Sequence, residues 1–211
     1  MIKYFPIFIN SDNIRCLVVG GGKIAERKIM TLLAYGVKII VVSPIVTNSI
    51  KKNSLKNKIE LKERKFRRTD LKNIKVLILA TSDIKLNEKI SKEAEKYNIL
   101  VNAITDGEKG NFIFPSVVDR GALKIAVSTS GLCPALSLKI RERLDKQFCR
   151  NYEEYLNFIS KIRLIALSKN KKEYKRIIQD LTQENILNLI EKKNSNLWKM
   201  QVNNIISRYK L

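Results

Sequence analysis

A short apolar run, Ile14–Val19, stops at Gly20-Gly21-Gly22, and the chain then carries apolar residues at helical spacing: Ile24, Ala25, Ile29, Leu32 and Leu33. A buried strand, a glycine turn and an amphipathic helix in that order constrain the fold more than any other feature of the sequence. The turn has the spacing Gly20-x-Gly22-x-x-Ala25 of a dinucleotide fingerprint. The first glycine permits the tight turn, the second lets the backbone approach a pyrophosphate, and the small third residue lets helix and strand pack closely. The helix start adds N–H groups and a positive dipole end. A glycine turn of purely structural purpose is the alternative, and the rest of the chain weighs against it.

Gly36 closes the first helix, and Val37–Val42 is a second buried strand ended by Ser43-Pro44. A weaker strand near Ile59–Leu61 follows, then a clear one at Val76–Ala80, a helix over Ile84–Tyr97 and a strand over Ile99–Ala103. Strands alternating with helices predict an α/β fold, a Rossmann-like doubly wound parallel sheet. The pattern changes after Asp106. Phe112–Val118 and Leu123–Ser128 are extended around Asp119-Arg120-Gly121-Ala122, an antiparallel hairpin, and Pro134 opens a helix running to about Phe148. From Asn151 the chain is helical and polar, with stripes such as Tyr155, Phe158, Ile159, Ile162 and Leu187, Leu189, Ile190. The expected domains are 1–111, nucleotide-binding; 112–149, a small α+β hairpin-plus-helix module; and 150–211, helical.

Composition narrows the chemistry. There is no histidine, so the commonest general base and metal ligand are missing, and no metal site is expected. Three cysteines, Cys16, Cys133 and Cys149, have no C-x-x-C spacing, which argues against zinc and a disulfide framework. No apolar run is long enough to span a membrane, and MIKYFPIFIN lacks a small-residue cleavage site, so neither membrane attachment nor a signal peptide is expected. The net charge of +21 is spread along the chain. It steers anionic ligands, or it reflects the Lys, Asn and Ile usage of an A/T-rich genome. The densest cluster, Lys62, Arg64, Lys65, Arg67 and Arg68, reads as a loop near a sheet edge, and no nucleic-acid-reading motif is present. At the end of the second strand, where an NAD site usually has Asp or Glu, the chain reads Ser43-Pro44-Ile45 with no arginine beside it. Ser43 and nearby backbone must hold the ribose, and NAD is preferred over NADP.

The runs Tyr4-Phe5-Pro6-Ile7-Phe8 and Val18-Val19-Gly20-Gly21-Gly22-Lys23-Ile24-Ala25-Glu26-Arg27-Lys28 resemble the opening of the precorrin-2 dehydrogenase family, the siroheme synthase N-terminal module. Ala80-Thr81-Ser82-Asp83, Val101-Asn102-Ala103, Asn111-Phe112-Ile113-Phe114-Pro115-Ser116, Ala126–Gly131 and Pro134-Ala135-Leu136 extend the resemblance to about residue 145. It implies NAD-dependent oxidation of precorrin-2 to sirohydrochlorin on the route to sirohaem, in a cytoplasmic homodimer joined through the 112–149 module. The substrate is a tetrapyrrole polycarboxylate, and some members leave iron insertion to a separate chelatase. Implied cofactor contacts are Gly20, Gly22, Lys23, Ile24, Ser43, Pro44, Ile45, Thr81 and Ser82. Implied substrate contacts are Asn102, Ser128, Thr129, Ser130 and Gly131, where the turn before Pro134 is either an anion cradle or an ordinary helix cap.

One departure falls where the chemistry should be. The family often shows two adjacent aspartates after its V-N motif, the first usually held to be catalytic; here Thr105 and Asp106 stand in those places. Thr105 cannot act as a carboxylate base. Asp106 is the catalytic candidate, with a turn-forming Asp106-Gly107 as the alternative. Iron insertion is therefore expected to be weak or absent. The rivals are a bifunctional dehydrogenase and ferrochelatase, and a non-catalytic NAD-sensing domain.

Overall fold

The computed structural model describes residues 3–103, 110–169, 173–192 and 195–210. They form two compact units, 1–114 and 115–211.

The first unit runs β1 (Arg15–Val19), α1 (Lys23–Ala34), β2 (Lys38–Val42), α2 (Asn48–Leu55), β3 (Glu60–Lys62), a 3₁₀ turn (Arg68–Leu71), β4 (Val76–Leu79), α3 (Ile84–Glu95) and β5 (Leu100–Ala103). Its sheet is parallel throughout, in the order β3-β2-β1-β4-β5. Successive strands move outward from β1 to β3, and the chain then returns to place β4 on the other side of β1. Ligands of open α/β sheets bind at such a reversal. Val19 lies level with Val42 and Leu79, so three carboxyl ends open together at that point.

Alternation along each strand builds two cores. Cys16, Val18, Ile39, Val41, Val76 and Ile78 pack with Ala25, Ile29 and Leu32 of α1 and Ile50 of α2. Leu17, Val19, Ile40, Val42, Leu77 and Leu79 pack on the opposite face with Ile90 and Ala94 of α3. Both faces are covered, which is why the strands read as unbroken apolar runs. The helix α2 has no counterpart in the sequence expectation. Its NSIKKNSL stretch buries a single residue, Ile50, and is set by the Thr47 cap, whose Oγ1 accepts the Ile50 N–H at 3.4 Å.

The edge strand β5 is closed by the segment that follows it. Asn111 donates its backbone N–H to the Val101 carbonyl at 2.9 Å. Its side-chain Oδ1 accepts the Val101 N–H at 2.7 Å, and its Nδ2 donates to the Ile99 carbonyl at 3.1 Å. Phe112 and Phe114 meet edge-on at 5.1 Å and pack on the α1 face of the core. The extended segment expected from Phe112 therefore becomes a strand only at Ser116, after these residues are committed to the first unit.

The second unit begins with an antiparallel hairpin, β6 (Ser116–Arg120) and β7 (Leu123–Val127), closed at Gly121, whose φ of 65° suits glycine. Then come α4 (Pro134–Gln147), α5 (Asn151–Lys169), α6 (Tyr174–Leu181), α7 (Glu184–Glu191) and α8 (Ser195–Arg208). Arg120 ties the hairpin to the end of α4, donating to the carbonyls of Phe148 at 2.6 Å and Asp145 at 2.8 Å and to the Asp145 carboxylate at 2.9 Å. The helical core gathers on fully buried Trp198, with Tyr155 edge-on at 5.5 Å and the α5 stripe Tyr155, Ile159, Ile162 and Ala166 against Ile177, Leu181, Ile186 and Ile190.

Candidate functional site

A crevice of about 810 Å³ opens in the first unit at the carboxyl ends of β1, β2 and β4, between the glycine turn, Ser43-Pro44, Lys65-Phe66 and Ala80–Asp83. The glycines divide the work. Gly20 has φ 115°, and a Cβ there would collide with the Ala80 carbonyl oxygen. It is glycine for the fold. Gly22 has an ordinary φ of −78°, and a Cβ on it would meet nothing within 4 Å on the crevice wall. The fold does not require glycine there, and the space beside it is open to a ligand. Gly22 also caps α1 without a side chain, so the first-turn N–H groups present a positive end that no protein oxygen from the cap takes up. A flat approach, an open helix N-terminus and free volume are what a pyrophosphate needs, and the residues fit that group.

At the end of β2, Ser43 is buried; its hydroxyl donates to the Ile45 carbonyl at 2.6 Å and its backbone N–H to the Lys62 carbonyl at 3.2 Å. The hydroxyl oxygen is left to accept. At the end of β4, Thr81 Oγ1 donates to Asn87 Oδ1 at 2.6 Å while Asn87 Nδ2 donates to the Thr81 carbonyl at 3.0 Å. Asp83 then caps α3 through the Leu86 N–H at 2.9 Å.

Gly20, Gly22, Lys23, Ile24, Ser43, Pro44, Thr81 and Ser82 thus converge on one crevice. Ile45 does not line it and is 82% exposed, because its carbonyl rather than its side chain turns toward Ser43. Lys65, Phe66, Asp83 and Leu86 line the crevice without having been singled out as cofactor contacts. The basic cluster was the available signal for Lys65. That cluster does flank the edge strand β3, and its centre is Asp70, whose carboxylate accepts Arg64 Nη1 at 2.9 Å, Arg64 Nη2 at 2.6 Å and the Arg67 N–H at 2.8 Å. The Arg64 hydrogen bonds hold the Asp70 carboxyl below the usual aspartate range, against the opposing effect of burial. Nearby on α1, Lys28 sits over the Phe114 ring at 4.1 Å, and burial lowers its pKa, with Arg27 adding to the effect.

Asn102 is half-buried on β5, outside the crevice lining, and donates Nδ2 to the Phe112 carbonyl at 3.1 Å. Thr105 and Asp106 lie outside the described residues. Ser128–Gly131 belong to the second unit. Ser128 Oγ accepts the Ser130 N–H at 3.0 Å, and Thr129 Oγ1 accepts the Cys133 N–H at 3.1 Å and bonds Ser137 Oγ at 3.0 Å. Ser130 and Gly131 are left-handed, with φ 54° and 83°, so the turn folds back on itself ahead of α4.

The first unit's topology and crevice define a dinucleotide-binding protein of the Rossmann class. Residues 7–116 match the family model described as "Putative NAD(P)-binding", and residues 120–147 match "Sirohaem biosynthesis protein central". The chain belongs to this NAD(P)-binding family, and its motifs resemble those of the precorrin-2 dehydrogenase and siroheme synthase group. A siroheme synthase of Blochmanniella pennsylvanica is 37% identical over 161 residues, 76% of this chain and 33% of that protein. One of Pseudoalteromonas translucida is 38% identical over 144 residues, 68% of this chain and 30% of that protein. The chain spans about a third of the length of these curated relatives. The solved structure of SirC, precorrin-2 dehydrogenase, superimposes with a TM-score of 0.76 at 26% identity, covering 97% of this chain and 100% of that one. Among the described residues no helix is long and apolar enough to cross a membrane.

Proposed function

We propose that this chain oxidises precorrin-2 to sirohydrochlorin with NAD. The observation that carries the proposal is the Gly22 crevice, an opening at the glycine turn and the α1 start in a chain matched along nearly its whole length by a precorrin-2 dehydrogenase. The substrate loses one hydride and one proton. NAD, when bound, supplies the hydride acceptor. Gly20 and Gly22 shape the turn, the N–H groups of Lys23 and Ile24 at the α1 start take the pyrophosphate, and Ser43 accepts a ribose hydroxyl. Thr81 and Ser82 border the opposite wall. Asp106 takes the proton, and Thr105 adds no charge to the site. Much of the rate comes from holding donor and acceptor in line, which tolerates the loss of the first carboxylate of the pair better than metal insertion does. Ferrochelatase activity is accordingly weak or absent and is left to a separate chelatase.

Asn102 and the Ser128–Gly131 turn receive substrate carboxylates. The α4 start has no side-chain cap at Cys133, which leaves its positive end available to an anion. The second unit joins two copies into a cytoplasmic homodimer. Supporting this, Leu132, Leu136 and Leu138 are exposed on and beside α4, a helix whose one buried residue is Ser137.

The test is an anaerobic assay of the purified protein with precorrin-2 and NAD, following NADH and sirohydrochlorin together. Equal yields of both are expected. NAD binding without either product would leave the sensing reading in its place.

A further inference from the structure

We propose that Lys65 sets the dinucleotide preference and lets this chain take the 2′-phosphorylated dinucleotide NADP as well as NAD. The inference rests on the crevice being a dinucleotide site.

In sheets of this class the end of β2 decides between the two cofactors: a carboxylate there bonds the ribose hydroxyls and repels a 2′-phosphate, while a nearby cation accommodates it. Here β2 ends in Ser43, whose hydroxyl proton is committed to the Ile45 carbonyl, and in Pro44, which has no N–H to offer. Among the described residues that line the crevice the one carboxylate is Asp83, which stands at the far wall after β4 and is held as the α3 cap. Among the described residues lining the crevice, none at the β2 end therefore repels a phosphate.

Lys65 lines the crevice just after β3, the strand paired with β2. Its neighbours on both sides are engaged. The Lys65 carbonyl accepts Arg64 Nη1 at 2.9 Å, the same guanidinium that Asp70 grips, and the Phe66 ring packs into the core below. The carboxylates nearby are engaged by other cations: Glu63 by Lys51 at 3.4 Å, Glu60 by Lys62 at 3.2 Å and Asp70 by Arg64. Lys65 thus brings to the crevice an ammonium that these carboxylates do not neutralise.

Calorimetric titration of NAD⁺ and NADP⁺ into the full chain tests this. The wild type is expected to bind both. Lys65→Ala should weaken NADP⁺ about fivefold and Lys65→Glu about 25-fold, on the scale of one exposed ion pair lost and then reversed. NAD⁺ should stay within about twofold, since it carries no charge at that position. NADP⁺ affinity should also fall with salt more steeply in the wild type than in Lys65→Ala. Lys58→Ala, which removes an exposed charge away from the crevice, should leave the ratio of the two affinities unchanged. A wild type that binds NAD⁺ but rejects NADP⁺, or a ratio unmoved by Lys65→Glu, overturns the role of Lys65 alone. Binding of neither dinucleotide overturns the site itself.

Discussion

Gly22→Asp should make the protein more stable while disabling its crevice, and both effects follow from one position. Gly22 stands at the N-cap of α1 in extended backbone, φ −78° and ψ −175°, with open space where a side chain would go. Aspartate is a favoured residue at that position, gaining a few tenths of a kcal/mol over glycine. Restricting the unfolded chain adds about 0.4–1 kcal/mol, and a carboxylate at a helix N-terminus about 0.3–1 kcal/mol more. A net gain of about 1 kcal/mol would raise the melting temperature of the first unit by roughly 4 °C. The same carboxylate would occupy the place of the pyrophosphate. Like charges about 4 Å apart at an effective dielectric of about 20 repel by roughly 4 kcal/mol, and even half of that weakens binding about 30-fold. Thermal denaturation of the free protein gives the first quantity, and calorimetric titration with NAD⁺ the second. A lowered melting temperature would show that the cap geometry is wrong. NAD⁺ affinity changed by less than about threefold would show that the anion is not held at this helix start.

Gly20→Ala should behave in the opposite way, losing about 2 kcal/mol or more of stability, because both its positive φ and the Ala80 carbonyl exclude a side chain; chemical denaturation measures it. Asp70→Asn should cost the first unit about 2 kcal/mol at neutral pH by unmaking charged hydrogen bonds to Arg64. Because the folded-state pKa of Asp70 is depressed, its contribution is full above the unfolded value of about 3.9 and is lost as pH falls through the folded value. The acid limb of the wild-type stability profile should therefore be steeper than that of the variant. Asp106→Asn should lower turnover about 100-fold with NAD⁺ affinity unchanged, as for loss of a general base, in a steady-state assay of NADH formation. Thr105→Asp should raise iron insertion into sirohydrochlorin above the wild-type level; unchanged insertion would remove the argument from the missing carboxylate.

The parallel sheet was legible because strands buried on both faces leave apolar runs, and the turns between them are marked by Gly20–Gly22, Ser43-Pro44 and Asp83. The glycine turn was equally plain. Lys65 and Phe66 were harder to place, since they come to the crevice only through the pairing of β3 with β2, a short strand with little pattern of its own. Asp83 and Leu86 arrive through a helix cap, a local bond whose consequence for the crevice depends on the sheet order. The helix α2 was invisible to periodicity because it buries one side chain. Thr105 and Asp106 remain expectations of the sequence.

The closure of β5 by Asn111 bears on how this protein behaves when crowded. A parallel sheet ends in a row of donors and acceptors, a ready template for another chain to polymerise upon. Here a single amide side chain reproduces the bonding of a neighbouring strand across Ile99 and Val101, and Asn111's own backbone N–H takes the Val101 carbonyl. A Cβ on Gly110 would crowd that same carbonyl, so the cover lies close against the edge. Losing the amide would leave the Val101 N–H and the Ile99 carbonyl without this partner, and that stretch of the margin would be open to strand addition.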